Sequence, residues 1–457
     1  MYESQRIDFG ATSLIPVDLI IEARWVLPIL PSQSLLEHAA VIINKGVIVE
    51  VTPIIEARLK YTPLDKISLD EHVLMPGLIN SHTHAAMALM RGLADDLPLM
   101  PWLKDHIWLA EQQVVSPRFV YDGTLLACAE MLQGGITTFN DMYFFPSAAA
   151  EAASKAGMRA QLGLVVLEYA SNYATDAEDY ISRGLDARDS WRDNALISTS
   201  FAPHAPYSVS NQTFESVLTY AEQLGLGIHT HLHETLDEIK QSEAQYNMRP
   251  LKRLADLGLL GPNFTAAHCV HLQPDEMAMM AEYGCHIAHC PTSNLKLASG
   301  IAKVTALLTH NVNVAIGTDS AASNNRLDMF AEMRLAALLA KGESGDALSV
   351  PAFKALEMAT INGAKALGLD NKVGSIEVDK LADLTAVRMS DITTQPCFDP
   401  VSHLVYACTR DQVSHVWVNG ELKYQKIEGQ TGVFSGIEPQ EIKEIVANWQ
   451  PKLSQFK

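Results

Sequence analysis

Between about Val73 and Lys341, short apolar runs alternate with amphipathic stretches, and this alternation constrains the fold more than any other feature. Candidate strands fall at 73–82, 135–141, 159–167, 196–203, 226–233, 264–270, 286–290 and 312–318. The segments between them carry helical periodicity, as in TLLACAEMLQ after Gly123, FESVLTYAEQL after Thr213 and DEMAMMAEY after Pro274. Eight strand–helix units in series predict an α/β fold, a closed parallel (β/α)8 barrel of the TIM type. The two ends of the chain differ from this middle. Residues 16–55 alternate like strands with a turn at Asn44–Gly46, and residues 381–425 do the same, with a hairpin signal at Asn419–Gly420. Both ends together predict one small β-sandwich, made of 1–73 and 371–457, attached to a barrel of 74–370.

The size of the chain, 457 residues, agrees with one large core and a smaller one. Its 53 acidic against 34 basic residues give a formal charge of −19, which argues against nucleic acid or an anionic membrane as partner. Six cysteines (Cys128, Cys269, Cys285, Cys290, Cys397 and Cys408) form no CxxC pair and lie mostly in apolar segments, which reads as reduced thiols in a cytoplasmic protein. The N-terminal MYESQRIDFG lacks a basic-then-apolar signal pattern, and no apolar run is long enough for a membrane span. A small-molecule substrate is the expected partner, and barrels of this kind often form homo-oligomers.

Chemistry in such a barrel is found at the C-terminal ends of the strands. Here histidines and acids gather at those ends: His82 and His84 close the run LMPGLINSHTH, His204 lies in FAPHAPYS, and the fifth strand ends in His229, His231, His233 and Glu234. His268 and His271, His289, and Asp319 within AIGTDSAAS follow. Alternate residues of a strand share a face, so His82 and His84 project side by side. Three imidazoles and a carboxylate make a catalytic metal site with an open position for water. His82, His84, one histidine of the fifth strand and Asp319 are the economical set; alternation leaves His229, His231 and His233 equivalent. Glu234, just past the strand, suits a carboxylate that reaches the attacking water without being a ligand. A two-metal centre often needs a bridging lysine near the end of strand four, where APHAPYS has none, so one divalent metal is expected.

The motifs PGLINSHTH, HLHE, HCVH and GTDSAASN, in that order and at barrel spacing, resemble the amidohydrolase superfamily over nearly the whole chain. Within it, HAAMALMRGLADDLPLMPWL, NDMYF at 140–144, CPTSNLKLASGIAKV and GTDSAASNNRLDMFAEMRLAALL resemble the 5-methylthioadenosine/S-adenosylhomocysteine deaminases. The resemblance implies His82, His84, His231 and Asp319 as metal ligands, and zinc or iron(II) as the metal. It implies Glu234 as proton shuttle at N1 of a purine nucleoside, and His268, with Asp319, as the group steering the attack. Glu111 is implied as the ligand of the ribose hydroxyls, His204 as a substrate contact, and Trp102 as an aromatic wall near the sugar or its 5′ substituent. Read without the resemblance, Glu111 in IWLAEQQV is an ordinary solvated helix residue. Some relatives carry an arginine just after strand three that meets a substrate carboxylate. The stretch LGLVVLEYAS has none before Arg183 and Arg188, in the polar loop 170–195, which favours the smaller methylthioadenosine. Two other readings stand beside this one. The first is an aminohydrolase or chlorohydrolase of the same branch acting on guanine, a pterin or an s-triazine, for which Glu111 has no ribose to bind. The second is a catalytically dead barrel, which the intact ligand set opposes.

Overall fold

The structure, a computed structural model, describes residues 14–427 and 429–456. The reading of the N-terminal decapeptide therefore lies outside the described residues. Eight strands, Leu78–Thr83, Ile136–Asp141, Arg159–Val166, Ile197–Pro203, Ile228–Leu232, Phe264–His268, His286–His289 and Asn313–Ile316, follow one another around a parallel sheet in chain order. Helices connect them and pack around the outside, where Ile79 meets Gly363 of the helix Ile361–Ala366 and Leu164 meets Gly184 of the helix Ala177–Trp191.

The first strand starts later than its apolar run. Val73–Pro76 instead end a long outer strand, Tyr61–Pro76, that pairs with Leu384–Arg388. Gly77 marks the passage between the two sheets. A Cβ there would lie 2.1 Å from Thr137 Cγ2, and the Gly77 N–H donates to Asp383 O at 2.9 Å. The run is continuous in hydropathy because both pieces are fully buried.

Side chains join the last strand to the first. The Asn80 amide donates to Thr318 Oγ1 (2.8 Å) and accepts from the Thr318 N–H (2.9 Å), while the Asp319 N–H donates to His82 O (3.0 Å). Gly317 sits against His82, where a Cβ would approach its backbone N to 2.8 Å. This seam fixes Asp319 beside the first strand.

Strands from both termini form a second sheet of eight strands, and residues from its two halves, including Leu19, Val41, Leu384 and Trp417, share one apolar cluster. Its hairpins turn where the sequence indicated. Lys45 and Gly46 (φ 51° and 77°) and Asn419 and Gly420 (φ 54° and 76°) are paired left-handed residues, as a two-residue hairpin loop requires. Within 381–425 the strands are Leu384–Arg388, Val413–Val418 and Glu421–Gln425. A helix, Pro400–Tyr406, interrupts them, with Asp399 as its cap. A buried ion pair ties the barrel to this sheet: Arg159 meets Asp383 at 2.9 and 3.1 Å. The stretch read as a polar loop at 170–195 contains a helix, Ala177–Trp191, capped by Asp176. Its buried positions Tyr180, Ile181, Gly184 and Ala187 recur every three or four residues among charged ones, a narrow stripe that composition hides. All six cysteines are unpaired, five of them buried. Among the described residues no helix is long and apolar enough to cross a membrane.

Candidate active site

The histidines predicted at the strand ends converge. His84 Nε2 lies 3.3 Å and His82 Nε2 3.6 Å from Asp319 Oδ1, and His231 Nε2 lies 3.4 Å from His84 Nε2. Donor atoms of His82, His84 and Asp319 all fall within 4.8 Å of one another, as do those of His82, His231 and His268.

Backbone geometry separates the three histidines of the fifth strand. His229 lies deeper, with its Nε2 3.0 Å from His82 Nδ1 and the Asn140 amide 3.0 Å from its Nδ1. His233 adopts φ 52°, which ends the alternation and turns its ring away from the cluster. Its Nε2 accepts from the Leu251 N–H at 3.1 Å, and its Nδ1 faces Glu276. His231 alone of the three faces His84. Left-handed backbone recurs at His268 (φ 70°), Cys269 (φ 50°) and Asp319 (φ 58°), strain of the kind that concentrates at functional sites.

The donor set fits a divalent cation. His84 Nδ1–H donates to Met142 O (2.5 Å), His231 Nδ1–H to His204 O (2.7 Å), and His268 Nδ1–H to Asn294 Oδ1 (2.8 Å). Each bond fixes the tautomer that leaves an Nε2 lone pair pointing inward. His82 Nε2 is buried and without a hydrogen-bond partner among the described residues. Burial lowers the pKa of His82 to about 4 and that of His231 well below the usual range, so both rings are neutral at pH 7, as ligands must be. Burial opposes a charge on Asp319, but the His82 and His84 rings beside its Oδ1 outweigh it and hold its pKa well below the usual carboxylate range. Ser293 Oγ (2.5 Å) and Ser323 Oγ (2.9 Å) occupy its other oxygen.

Glu234 stands beside this cluster, its Oε2 3.8 Å from His268 Nε2 and its Oε1 accepting from Ser299 Oγ at 3.3 Å. Burial raises its pKa above the usual carboxylate value, the direction a general acid needs. Glu111 enters from the helix Trp108–Val114, which follows a π-helical turn at Leu103–Ile107. Tyr143 OH donates to Glu111 Oε1 at 2.7 Å, and the Tyr143 ring stands edge-on to His84 with centroids 6.4 Å apart. Glu111 keeps part of its surface open, yet burial of its carboxyl pushes the pKa up to about 7. The Asn172 amide holds the carbonyls of Gln112 and Val115 (each 3.0 Å) and so anchors this helix end.

His204 packs its ring 4.9 Å from His231, with Nδ1 bonded to Ser208 Oγ, and burial lowers its pKa to about 3. Trp102 is buried in the main apolar core, and no ring contact or hydrogen bond joins it to the other candidates among the described residues. His271 turns to the Ser299 carbonyl, and His289 lies buried near His268. Arg183 and Arg188 bond Asp179 and Asp189, neighbours on their own helix.

Sequence reasoning passed over Tyr143, Asn140, His229 and Asn294 as supports of the site. Tyr143 and Asn140 lay in NDMYF, and Asn294 with Ser293 and Ser299 in CPTSNLKLASG. Those polar residues among apolar ones at strand ends were the available signal. Tyr207, edge-on to His204, also lines a small cavity with Leu99, Met100 and Glu234.

A barrel whose strand ends bring these imidazoles and one aspartate together defines a metal-dependent hydrolase scaffold. The Amidohydrolase family matches residues 73–423, and the chain belongs to that family. A 5-methylthioadenosine/S-adenosylhomocysteine deaminase of Teredinibacter turnerae is 46% identical over 445 residues, covering 97% of this chain and 99% of that protein. A crystal structure of an adenosine deaminase from Xanthomonas campestris with bound zinc superposes with a TM-score of 0.94 at 45% identity, covering 97% of this chain and 100% of that one. An atrazine chlorohydrolase from Arthrobacter aurescens complexed with zinc, 23% identical over 95% of this chain and 100% of that one, shares the fold with a TM-score of 0.85.

Proposed function

We propose that this protein is a hydrolytic deaminase of adenine nucleosides, converting 5′-methylthioadenosine or S-adenosylhomocysteine, and adenosine itself, to the inosine analogue and ammonia. The observation that carries this reading is the Glu111–Tyr143 pair beside His84, at 2.7 Å. A carboxylate held there suits a ribose diol, and a free base or triazine gives it nothing to bind. The names borne by relatives sharing 46% and 45% of their residues with this chain support the same substrate class.

In this reading His82, His84, His231 and Asp319 hold one divalent metal, zinc on the softness of three imidazoles and one carboxylate, with iron(II) as the alternative. The bound cation supplies Lewis acidity that lowers the pKa of water toward neutrality. Glu234, whose carboxyl burial pushes upward, gives a proton to N1 of the adenine and so makes C6 electrophilic. His268 and Asp319 orient the attacking water toward C6. Glu234 takes up the proton that water releases on attack and passes it to the departing amine; the second water proton, left on O6, returns to Glu234 as the C6=O bond forms. One water is consumed, the C6–N bond breaks, and ammonia leaves. Glu111 accepts the ribose hydroxyls, while His204 and Trp102 bound the substrate. Arg183 and Arg188, already paired with aspartates, offer no obvious carboxylate clamp. Methylthioadenosine and adenosine, with uncharged 5′ groups, are therefore the preferred substrates. Unpaired cysteines support a reducing, cytoplasmic setting.

Ammonia release from methylthioadenosine, adenosine, S-adenosylhomocysteine, guanine and an s-triazine, compared at equal concentration, tests this. The nucleosides should turn over at least tenfold faster than guanine or the triazine. Equal or faster turnover of guanine or the triazine would overturn the reading.

A further inference from the structure

The fifth strand delivers both a ring toward the cluster and a carboxylate beside it, and strict alternation does not allow that. In an extended strand, residues 231 and 233 face one side and 232 and 234 the other. The left-handed turn at His233 (φ 52°) reverses this order: His233 swings out, and Glu234 comes in beside His268. Left-handed backbone is unfavourable for a non-glycine residue, so something must hold it.

Glu238, in the first turn of the helix Leu236–Tyr246, does so with both carboxyl oxygens. The His233 N–H donates to Glu238 Oε1 at 3.0 Å, and the Glu234 N–H donates to Glu238 Oε2 at 2.9 Å. The side chain is 4% exposed, and the Glu238 N–H itself donates to the Thr235 hydroxyl that caps the helix (3.3 Å). The clasp grips the two peptide groups whose orientation decides where Glu234 points. Only a group accepting at both ends satisfies two adjacent N–H donors. Glutamine turns one end into a donor facing a donor.

We propose that Glu238 is a positioning residue for proton transfer, clasping the strained His233–Glu234 backbone so that the Glu234 carboxyl faces the substrate ring. The inference rests on the deaminase reading above and extends it to a residue outside the set assigned to metal and substrate.

A double-mutant cycle on the purified, zinc-loaded enzyme tests the proposal, with Glu234→Gln, Glu238→Gln and the double variant assayed on methylthioadenosine. Zinc content and melting temperature are measured alongside. If Glu238 acts through Glu234, Glu238→Gln lowers kcat by 10-fold or more with KM within about twofold, and keeps one zinc per chain. The double variant is then no slower than Glu234→Gln alone. Glu238→Asp, which keeps both acceptors, recovers part of the loss and replaces Glu238→Gln in the cycle should that variant not fold. Multiplying losses in the double variant, unchanged kcat in Glu238→Gln, or loss of zinc from it would overturn the proposal. An inactive parent enzyme would instead overturn the deaminase reading on which the inference rests.

Discussion

Glu111 offers the sharpest test of substrate class. Its carboxyl is fixed by Tyr143 at 2.7 Å, and the Tyr143 ring stands edge-on to His84. Glu111→Gln keeps the volume and one acceptor but removes the charge. A hydrogen bond to a charged acceptor contributes about 1.5–3 kcal/mol, against about 1 for a neutral pair. Exchanging the charged acceptor for the neutral one costs about 0.5–2 kcal/mol, which at 1.36 kcal/mol per decade lowers kcat/KM for a riboside about 2- to 30-fold. The same substitution should leave the 2′,3′-dideoxy analogue nearly unaffected, because that substrate has no diol to lose. The pH dependence has a definite sign. Burial raises the Glu111 pKa to about 7, so below that the carboxyl is protonated, and as pH rises through it the group becomes a full acceptor. The preference for riboside over dideoxyriboside should therefore grow between pH 6 and 8 in the parent enzyme and stay flat in Glu111→Gln. Steady-state kinetics on the two substrates across that range read both effects. Equal losses on both substrates, or a preference that falls as pH rises, would refute the assignment of Glu111 to the sugar.

Three further outcomes follow from the geometry. Glu234→Gln should lose about 10²- to 10⁴-fold in kcat while retaining stoichiometric metal, measured by turnover and elemental analysis; near-parental turnover would remove Glu234 from the chemistry. His229→Ala takes away the ring seated 3.0 Å from His82 Nδ1 and should weaken metal binding about 10- to 100-fold in a competitive chelator titration, with unchanged affinity contradicting its supporting role. Arg159→Met leaves the buried Asp383 without its partner and should cost about 3–5 kcal/mol in denaturant-induced unfolding, detaching barrel from outer sheet; a loss under about 1 kcal/mol would show the pair to be dispensable.

The barrel was legible because each strand is a short apolar run bounded by turn residues, and eight such runs in series have few alternative folds. Local hydropathy carries no information about which sheet a buried residue joins, so Val73–Ile79 read as one strand although Gly77 divides it between two. Most of the site was visible as histidines and acids at strand ends, since function gathers polar groups where packing alone would not. The choice among His229, His231 and His233 was invisible, because period-two reasoning assumes extended backbone and His233 is left-handed. The same turn explains why Glu234, nominally on the opposite face from His231, reaches the cluster. Glu111 looked like a solvated helix residue because its partner Tyr143 lies on another element, and contacts of that range leave no local pattern. Helix Ala177–Trp191 was hidden by the charged residues that outnumber its narrow buried stripe.

Everything in the catalytic account depends on one cation held by residues from the first, fifth and eighth strands. An anomalous-difference map from crystals of the active enzyme, collected across the zinc edge, measures this directly. The account predicts a single peak per chain, about 2.0–2.2 Å from nitrogens of His82, His84 and His231 and an oxygen of Asp319. A fully active crystal with no peak there, or with its peak coordinated by other residues, would contradict it.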